Sequence, residues 1–293
     1  MLKQVLVTGS AGQLGQSIQS ISNDCSGVQF TFVDIEALDL CNETAITAYF
    51  KNKQFNVILN CAAYTAVDKA ESDPELVDKI NHLAVKQLAE IAKQQNAVFI
   101  HVSTDYVFNG QNHKPYVETD PADPQGVYGI TKLNGELAFK AIGSKGCIIR
   151  TSWVYSEYGS NFVKTMQRLG SDRDSINVIF DQIGSPTYAG DLARAILDII
   201  QSERLSSSDL ELQVYHYSNE GVCSWYDFAK TIFEFSNIDC NVNPIETKDY
   251  PTPAKRPHYS LLNKAKIKQA FELEVPYWKD SLQKCIKRLQ EHA

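Results

Sequence analysis

Short apolar runs rich in valine, isoleucine and phenylalanine alternate with amphipathic stretches through the first half of the chain. KQVLVTG, VQFTFVD, FNVILNCAA, AVFIHVST and GCIIRTS read as strands. Helical patterns lie between them. The clearest is PELVDKINHLAVKQLAEIAKQQ, where Leu76, Ile80, Leu83, Ala84, Leu88, Ile91 and Ala92 recur at three- and four-residue steps. Strands that are apolar nearly throughout, separated by helices, predict a parallel sheet covered on both faces. This is the doubly wound α/β class, whose ligands sit at the carboxyl ends of the strands.

After about residue 153 the rhythm becomes irregular. NFVKTMQRL predicts a helix, INVIFDQIGSPTYAG a strand and a turn, and DLARAILDIIQ a helix with Asp191 as N-cap. A polar loop, SERLSSSD (202–209), precedes a strand, QVYHYS, a helix, SWYDFAKTIFEFS, and the proline-rich YPTPAKRP. No internal repeat or long linker interrupts the chain.

Composition narrows the class. The chain has 293 residues, 43% of them hydrophobic, enough for a substantial core. Its net charge of −7 and lack of a basic block argue against nucleic acid and anionic membrane partners. No apolar run reaches the roughly 18 residues of a membrane span. The apolar part of MLKQVLVTGS is too short for a signal peptide. Seven cysteines, an odd number without a CxxC, read as reduced thiols of a cytoplasmic protein and offer no zinc site. The histidines lack metal-ligand spacing, so no metal is expected.

The first strand runs into Thr8-Gly9-Ser10-Ala11-Gly12-Gln13-Leu14-Gly15. A strand, G-x-x-G-x-x-G and a helix form the context of a pyrophosphate site. Glycines let the backbone approach the phosphates, whose charge rests on the helix N-terminus. The alternative is a plain glycine turn. The second strand ends at Asp34, nineteen positions after Gly15, where a carboxylate accepts hydrogen bonds from an adenosine ribose, or is simply a surface charge. Neither Ser10 nor Ile35 supplies a cation for a 2′-phosphate, which favours NADH or tolerance of both nicotinamide cofactors. Asp39 and Leu40 are placed to flank the adenine, and Cys61-Ala62-Ala63-Tyr64-Thr65 to line the nicotinamide half. A Rossmann-type dinucleotide-binding domain is expected over 1–153 and 176–218, with a smaller substrate-binding lobe over 154–175 and 219–293.

Tyr128 and Lys132 stand one helical turn apart in GVYGITKLNGE. A phenol with a pKa of about 10 is a poor proton shuttle near neutrality. A nearby ammonium and a helix N-terminus both favour the phenolate. Lys132 is therefore expected to tune Tyr128 and to bond the nicotinamide ribose, while Tyr128 delivers a proton to a substrate oxygen as hydride arrives. The pair alone also arises by chance. AVFIHVSTDYVF ends in Ser103 and Thr104; strand alternation lets only one of them face the crevice easily, and the sequence does not decide which.

Together these features resemble the extended short-chain dehydrogenase/reductases and, within them, the dTDP-4-dehydrorhamnose reductase family. The resemblance spans nearly the whole chain. It rests on TGSAGQLG (8–15), NCAAYTAVDKAE (60–71), STDYVFNG (103–110), VYGITKLNGE (127–136), RTSWVY (150–155), DQIGSPT (181–187) and RPHYSLLN (256–263). It implies NADPH- or NADH-dependent reduction of the 4-keto group of a dTDP-linked 6-deoxy-L-hexose to dTDP-L-rhamnose, for cell-surface polysaccharide. It implies Thr104, Tyr128 and Lys132 as the catalytic trio. Gln13, Leu14, Asp34, Asp39, Leu40, Ala63, Tyr64 and Thr65, beside Gly9, Gly12, Gly15 and Ala62, become cofactor contacts. Thr104, Asp105 and Trp153 become substrate contacts, and a homodimer is compatible with the resemblance.

Simpler roles stand beside several of these. Trp153 follows an apolar strand and suits a core as well as a sugar platform. Val67 and Asp68 line a sugar pocket, or Asp68 caps a helix. Arg256 matches a diphosphate bidentately or is an ordinary surface arginine. Asn81 is unexpected inside an amphipathic helix and reads as a partner for water or a backbone carbonyl near the site. Two other readings share the catalytic residues: a reductase of another nucleotide-linked 4-keto-6-deoxysugar, and a non-catalytic nucleotide-binding regulatory subunit.

Overall fold

The computed structural model describes residues 2–207 and 210–291. The five expected strands form: β1 (Lys3–Thr8), β2 (Val28–Val33), β3 (Val57–Asn60), β4 (Val98–Thr104) and β5 (Gly146–Thr151). The strand at Gln213–His216, β6, joins them in one sheet of order β6-β5-β4-β3-β1-β2, parallel throughout. The chain steps from β1 to β2 on one side, then returns to β3 on the other. The crevice between β1 and β3 at their carboxyl ends is the switch point where such folds bind ligands.

Both faces are covered, which explains the unbroken apolar strands. Val5, Val7, Val57, Leu59, Ile100 and Ile149 pack with Leu14, Ile18 and the helix Ala189–Gln201. Leu6, Ile58, Phe99 and Ile148 point the other way, onto Val85, Leu88, Ala92 and Phe139 of the helices Ala84–Gln94 and Val127–Ile142. On this second face each strand turns polar two residues beyond its apolar one: Thr8 after Leu6, Asn60 after Ile58, His101 after Phe99. The register sets Thr8 beside Asn60 and Asn60 beside His101. A row of polar side chains thus crosses the carboxyl end of the sheet.

Two local readings need correction. The stretch from Pro74 to Gln94 is not one regular helix. Pro74–Asp78, started by Asp73, passes into a π-turn over Lys79–Leu83 before Ala84–Gln94. The wider turn directs Asn81 inward, fully buried, where its amide bonds the N–H of Tyr64 at 2.9 Å and its carbonyl at 3.1 Å. An amide that satisfies both backbone groups of a distant residue explains the polar residue and the π-turn together. Asp191 is not an N-cap. The helix starts at Ala189, and the Asp191 carboxylate, in its first turn, accepts from Asn219 and Ser281.

The second cluster of buried residues joins Val163 and Met166, Phe228 and Ile232, and Leu282 and Ile286. These come from the helices Phe162–Asp172, Trp225–Ser236 and Trp278–Glu291. Ile176 and Val178 belong to this cluster, and their strand, Ser175–Ile179, pairs with Asn241–Ile245. Conversely Ile267 and Leu273 pack under the main sheet. We therefore draw the return to the first domain at Ala189 rather than 176, and count 265–273 with that domain. Of the loop expected over 202–209, positions 208 and 209 lie outside the described residues. No helix among the described residues is long and apolar enough to cross a membrane.

Candidate active site

A cleft of about 730 Å³ opens at the carboxyl ends of β1–β5 and reaches into the second cluster, within the ~300–1,000 Å³ common for cofactor and ligand sites. Gly9, Gly12, Gln13, Leu14, Gly15, Asp34, Asp39, Leu40, Ala62, Ala63, Thr65, Val67, Thr104, Asp105, Tyr128, Lys132 and Trp153 all line it. Tyr64 and Arg256 do not. The Tyr64 ring packs with Val77 and Tyr128, while Arg256 holds the Asp68 carboxylate at 2.7 Å.

At the glycine turn Gly9 has φ +67°, and a Cβ there would lie 2.6 Å from the backbone nitrogen of Ala62. Only glycine allows β1 and β3 to approach so closely. The helix Gln13–Ile21 presents its amino end to the cleft. Asp34 reaches back over this turn, accepting from Ala11 N–H at 2.7 Å and Ile35 N–H at 2.9 Å. Gln13 ties the turn to the second cluster through Ser156 and Asn161, at 3.0 and 2.9 Å. Among the described residues lining the cleft, Lys132 is the one lysine or arginine.

Tyr128 and Lys132 project from the first turns of the helix Val127–Ile142, both buried. Their electrostatics differ from expectation. Burial pushes Tyr128 up to about 12, the Thr104 hydroxyl beside it pulls back, and the Asp105 carboxylate raises it. Lys132 makes no hydrogen bond to the phenol. The reason is direction: Lys132 Nζ dips toward β4, donating to Val102 O at 2.7 Å and lying 3.3 Å from His101 Nε2. Burial lowers Lys132 to about 8, against upward pulls from Glu136 and Cys61. Without cofactor, Tyr128 is therefore a neutral phenol across the working pH range, ready to donate rather than accept a proton.

The structure separates Ser103 from Thr104. Ser103 Oγ donates to Glu136 Oε1 at 2.6 Å, inside a buried ion pair with Arg150. Thr104 instead turns toward Tyr128 and donates to Asp105 Oδ1 at 3.0 Å. Burial pushes Asp105 up to about 7, with the hydroxyls of Thr104 and Ser260 pulling down. A carboxyl whose folded pKa is raised holds its proton longer in the folded state, so its charge costs stability as pH rises from about 4 through about 7. Asp105→Asn is expected to match the parent near pH 4 and exceed it at pH 8 by up to about 4 kcal/mol. Denaturant melts at the two pH values check this; an advantage that does not grow with pH would contradict it.

Trp153 adopts φ +48°, rare for a bulky residue. Its indole stacks on Trp225 at 3.6 Å between centroids and 13° between planes, and both rings line the cleft. Trp225, Tyr106 and the loop Gly159-Ser160-Asn161 also line it and were not singled out from the sequence. An aromatic in an amphipathic helix gives no sign of facing a cleft. Asn161, before NFVKTMQRL, carried a readable N-cap signal and does cap its helix.

The family model described as the RmlD substrate binding domain matches residues 3–291. A dTDP-4-dehydrorhamnose reductase of Aggregatibacter actinomycetemcomitans is 40% identical over the full length of both chains. The solved dTDP-4-dehydrorhamnose reductase of Clostridium acetobutylicum is 41% identical, with a TM-score of 0.91 over 98% of this chain and 99% of that one. The Bacillus anthracis enzyme of the same name, solved in complex with NADP, is 36% identical with a TM-score of 0.91, over 98% of this chain and 100% of that one. With a match running from β1 to the last helix, the chain belongs to the RmlD substrate binding domain family, in the company of the dTDP-4-dehydrorhamnose reductases.

Proposed function

We propose that the protein reduces the 4-keto group of dTDP-4-dehydro-L-rhamnose to give dTDP-L-rhamnose, using NADH or NADPH, for cell-surface polysaccharide. The observation that carries this is the meeting of Thr104, Tyr128 and Lys132 at the floor of a glycine-turned cleft, in a chain of this family. The residues fit a dinucleotide: the Cβ-free turn at Gly9, the helix amino end beyond it, and Asp34 at the far end. A reduced nicotinamide supplies the hydride.

The chain's own groups do the rest. Tyr128, un-ionised, donates its proton to the keto oxygen. Thr104 hydrogen-bonds the same oxygen and, with Tyr128, stabilises negative charge as it develops there. Lys132, protonated, favours the tyrosinate left behind. The largely apolar floor, with half-buried Cys61 and Val102 beside buried Ser103, limits the water around the reacting groups. We assign Asp105, Val67 and Trp153 to the sugar and Arg256 to the diphosphate. Its Asp68 partner must share or yield the guanidinium for that contact. Seven free thiols suit a reducing, cytoplasmic setting.

Among the described residues the adenosine end is lined by Asp34 and by no lysine or arginine, so a 2′-phosphate there meets a carboxylate. NADH is expected to be used more efficiently than NADPH. Ile35→Arg, at the exposed residue next to Asp34, should raise kcat/KM for NADPH about tenfold or more, since hydrogen bonds to charged groups contribute ~1.5–3 kcal/mol. Initial rates with each cofactor and dTDP-4-dehydro-L-rhamnose test both statements. Equal use of the two cofactors by the parent enzyme would refute the electrostatic argument, and failure to oxidise either would refute the proposed substrate.

A further inference from the structure

Thr8, Asn60 and His101 lie side by side on β1, β3 and β4, and an unbroken row of polar contacts runs from them to Lys132. Thr8, Asn60, His101 and Lys132 are each about 1% exposed or less, so no solvent competes for these contacts. The polarity of the row is determined at one end by the backbone. The N–H of Ala62, which can only donate, meets Asn60 Oδ1 at 3.2 Å, and Thr8 Oγ1 donates to the same oxygen at 2.7 Å. Asn60 must therefore present its amide nitrogen to His101 Nδ1, 3.1 Å away. Nδ1 then accepts, and the imidazole proton resides on Nε2.

That N–H points at Lys132 Nζ, 3.3 Å distant. An ammonium has three donors and no acceptor, so two donors face each other while Lys132 is charged. The contact becomes a hydrogen bond only when Lys132 is an amine, its lone pair toward His101 and one N–H toward Val102 O, 2.7 Å away. We propose that His101 is a positioning residue for Lys132: oriented by Asn60, it opposes the ammonium and so sets the pH at which Lys132 gives up its proton. Other groups act on Lys132 from every side. Glu136 from its own helix and Cys61 from beyond β3 both favour its charge. The ion pair of Glu136 with Arg150 tempers the former, and Tyr128 one turn away is neutral. Phe99 stacks against the imidazole and helps to hold its plane. His101 itself stays neutral, held far below its ordinary value by burial and by Lys132.

This inference rests on the reductase reading for its kinetic consequence but not for its structural one. In the reaction Lys132 must be charged to favour the tyrosinate, so turnover should fall on the alkaline side as Lys132 deprotonates. His101→Phe removes the opposing N–H with little change in ring size, and the alkaline limb of kcat should move up by about one pH unit. His101→Gln can set its carbonyl toward Asn60 and its amide N–H toward Lys132, and should restore the parent limb. A merely structural histidine would lower the rate at all pH values without moving the limb. If the limb stays in place in His101→Phe, the proposal fails. The wild-type protein with ¹⁵N-labelled histidine, free of cofactor and substrate, gives a readout independent of activity. His101 should show an unprotonated Nδ1 and a protonated Nε2 between pH 6 and 9. A proton on Nδ1 would overturn the proposal whatever the enzyme reduces, and the expected tautomer in a protein with no turnover would implicate the reductase reading instead.

Discussion

Tyr128→Phe is expected to lower kcat by about a thousandfold, within the ~10²–10⁴-fold range of positioned general acids, while cofactor affinity changes little. The substitution removes one oxygen and keeps the ring in its buried place against Tyr106 and Val77. Thr104 would still bond the keto oxygen, which leaves residual stabilisation of the alkoxide but no proton at that position. Stopped-flow rates of nicotinamide oxidation, with cofactor titration by fluorescence, separate chemistry from binding. A variant that turned over like the parent would remove Tyr128 from the mechanism, and one that no longer bound cofactor would make its role structural.

Glu136→Ala should produce the largest loss of stability. The Glu136 carboxylate is fully buried and accepts from Arg150 Nε at 2.9 Å, Arg150 Nη2 at 2.6 Å and Ser103 Oγ at 2.6 Å. Replacing such a pair by apolar residues can be neutral. Deleting one partner leaves a buried guanidinium without its counter-charge and costs about 3–5 kcal/mol. That is a large part of the ~5–15 kcal/mol holding a typical domain folded. Glu136 also favours the charge on Lys132, one turn away, so the variant's remaining activity should decline at lower pH than the parent's. Urea unfolding at neutral pH measures the first effect; a loss under about 1 kcal/mol would mean that Arg150 finds another partner.

The sheet was legible because parallel strands covered on both faces must be apolar nearly throughout. The glycine turn was legible because few residues besides glycine permit such an approach of strands. Positions along the cleft followed from these two. Less visible was anything decided by direction. Tyr128 and Lys132 share a helix face, but whether the amine turns toward the phenol or down to β4 depends on the carbonyl of Val102 and the polar row beneath it. That row exists only once strand register is known, since Thr8, Asn60 and His101 are far apart in the chain. Ser103 and Thr104 were undecided until Glu136 and Arg150 appeared beneath one of them. Asn81 is an anomaly in an amphipathic helix, yet the π-turn that accommodates it has no local sequence mark. The Trp153–Trp225 stack joins two regions with no shared pattern, and Arg256 could not be paired with Asp68 in advance.

The central claim, reduction at C4 of a dTDP-linked 4-keto-6-deoxyhexose with Tyr128 as acid, is tested most directly by following the hydride. The purified protein would be incubated with dTDP-4-dehydro-L-rhamnose and NADH deuterated at the transferable position of nicotinamide C4, and the sugar nucleotide examined by mass and proton spectra. The account predicts dTDP-L-rhamnose carrying one deuterium at sugar C4, formed in step with cofactor oxidation. Bound cofactor with no deuterium in the sugar, or deuterium at another carbon, would contradict it.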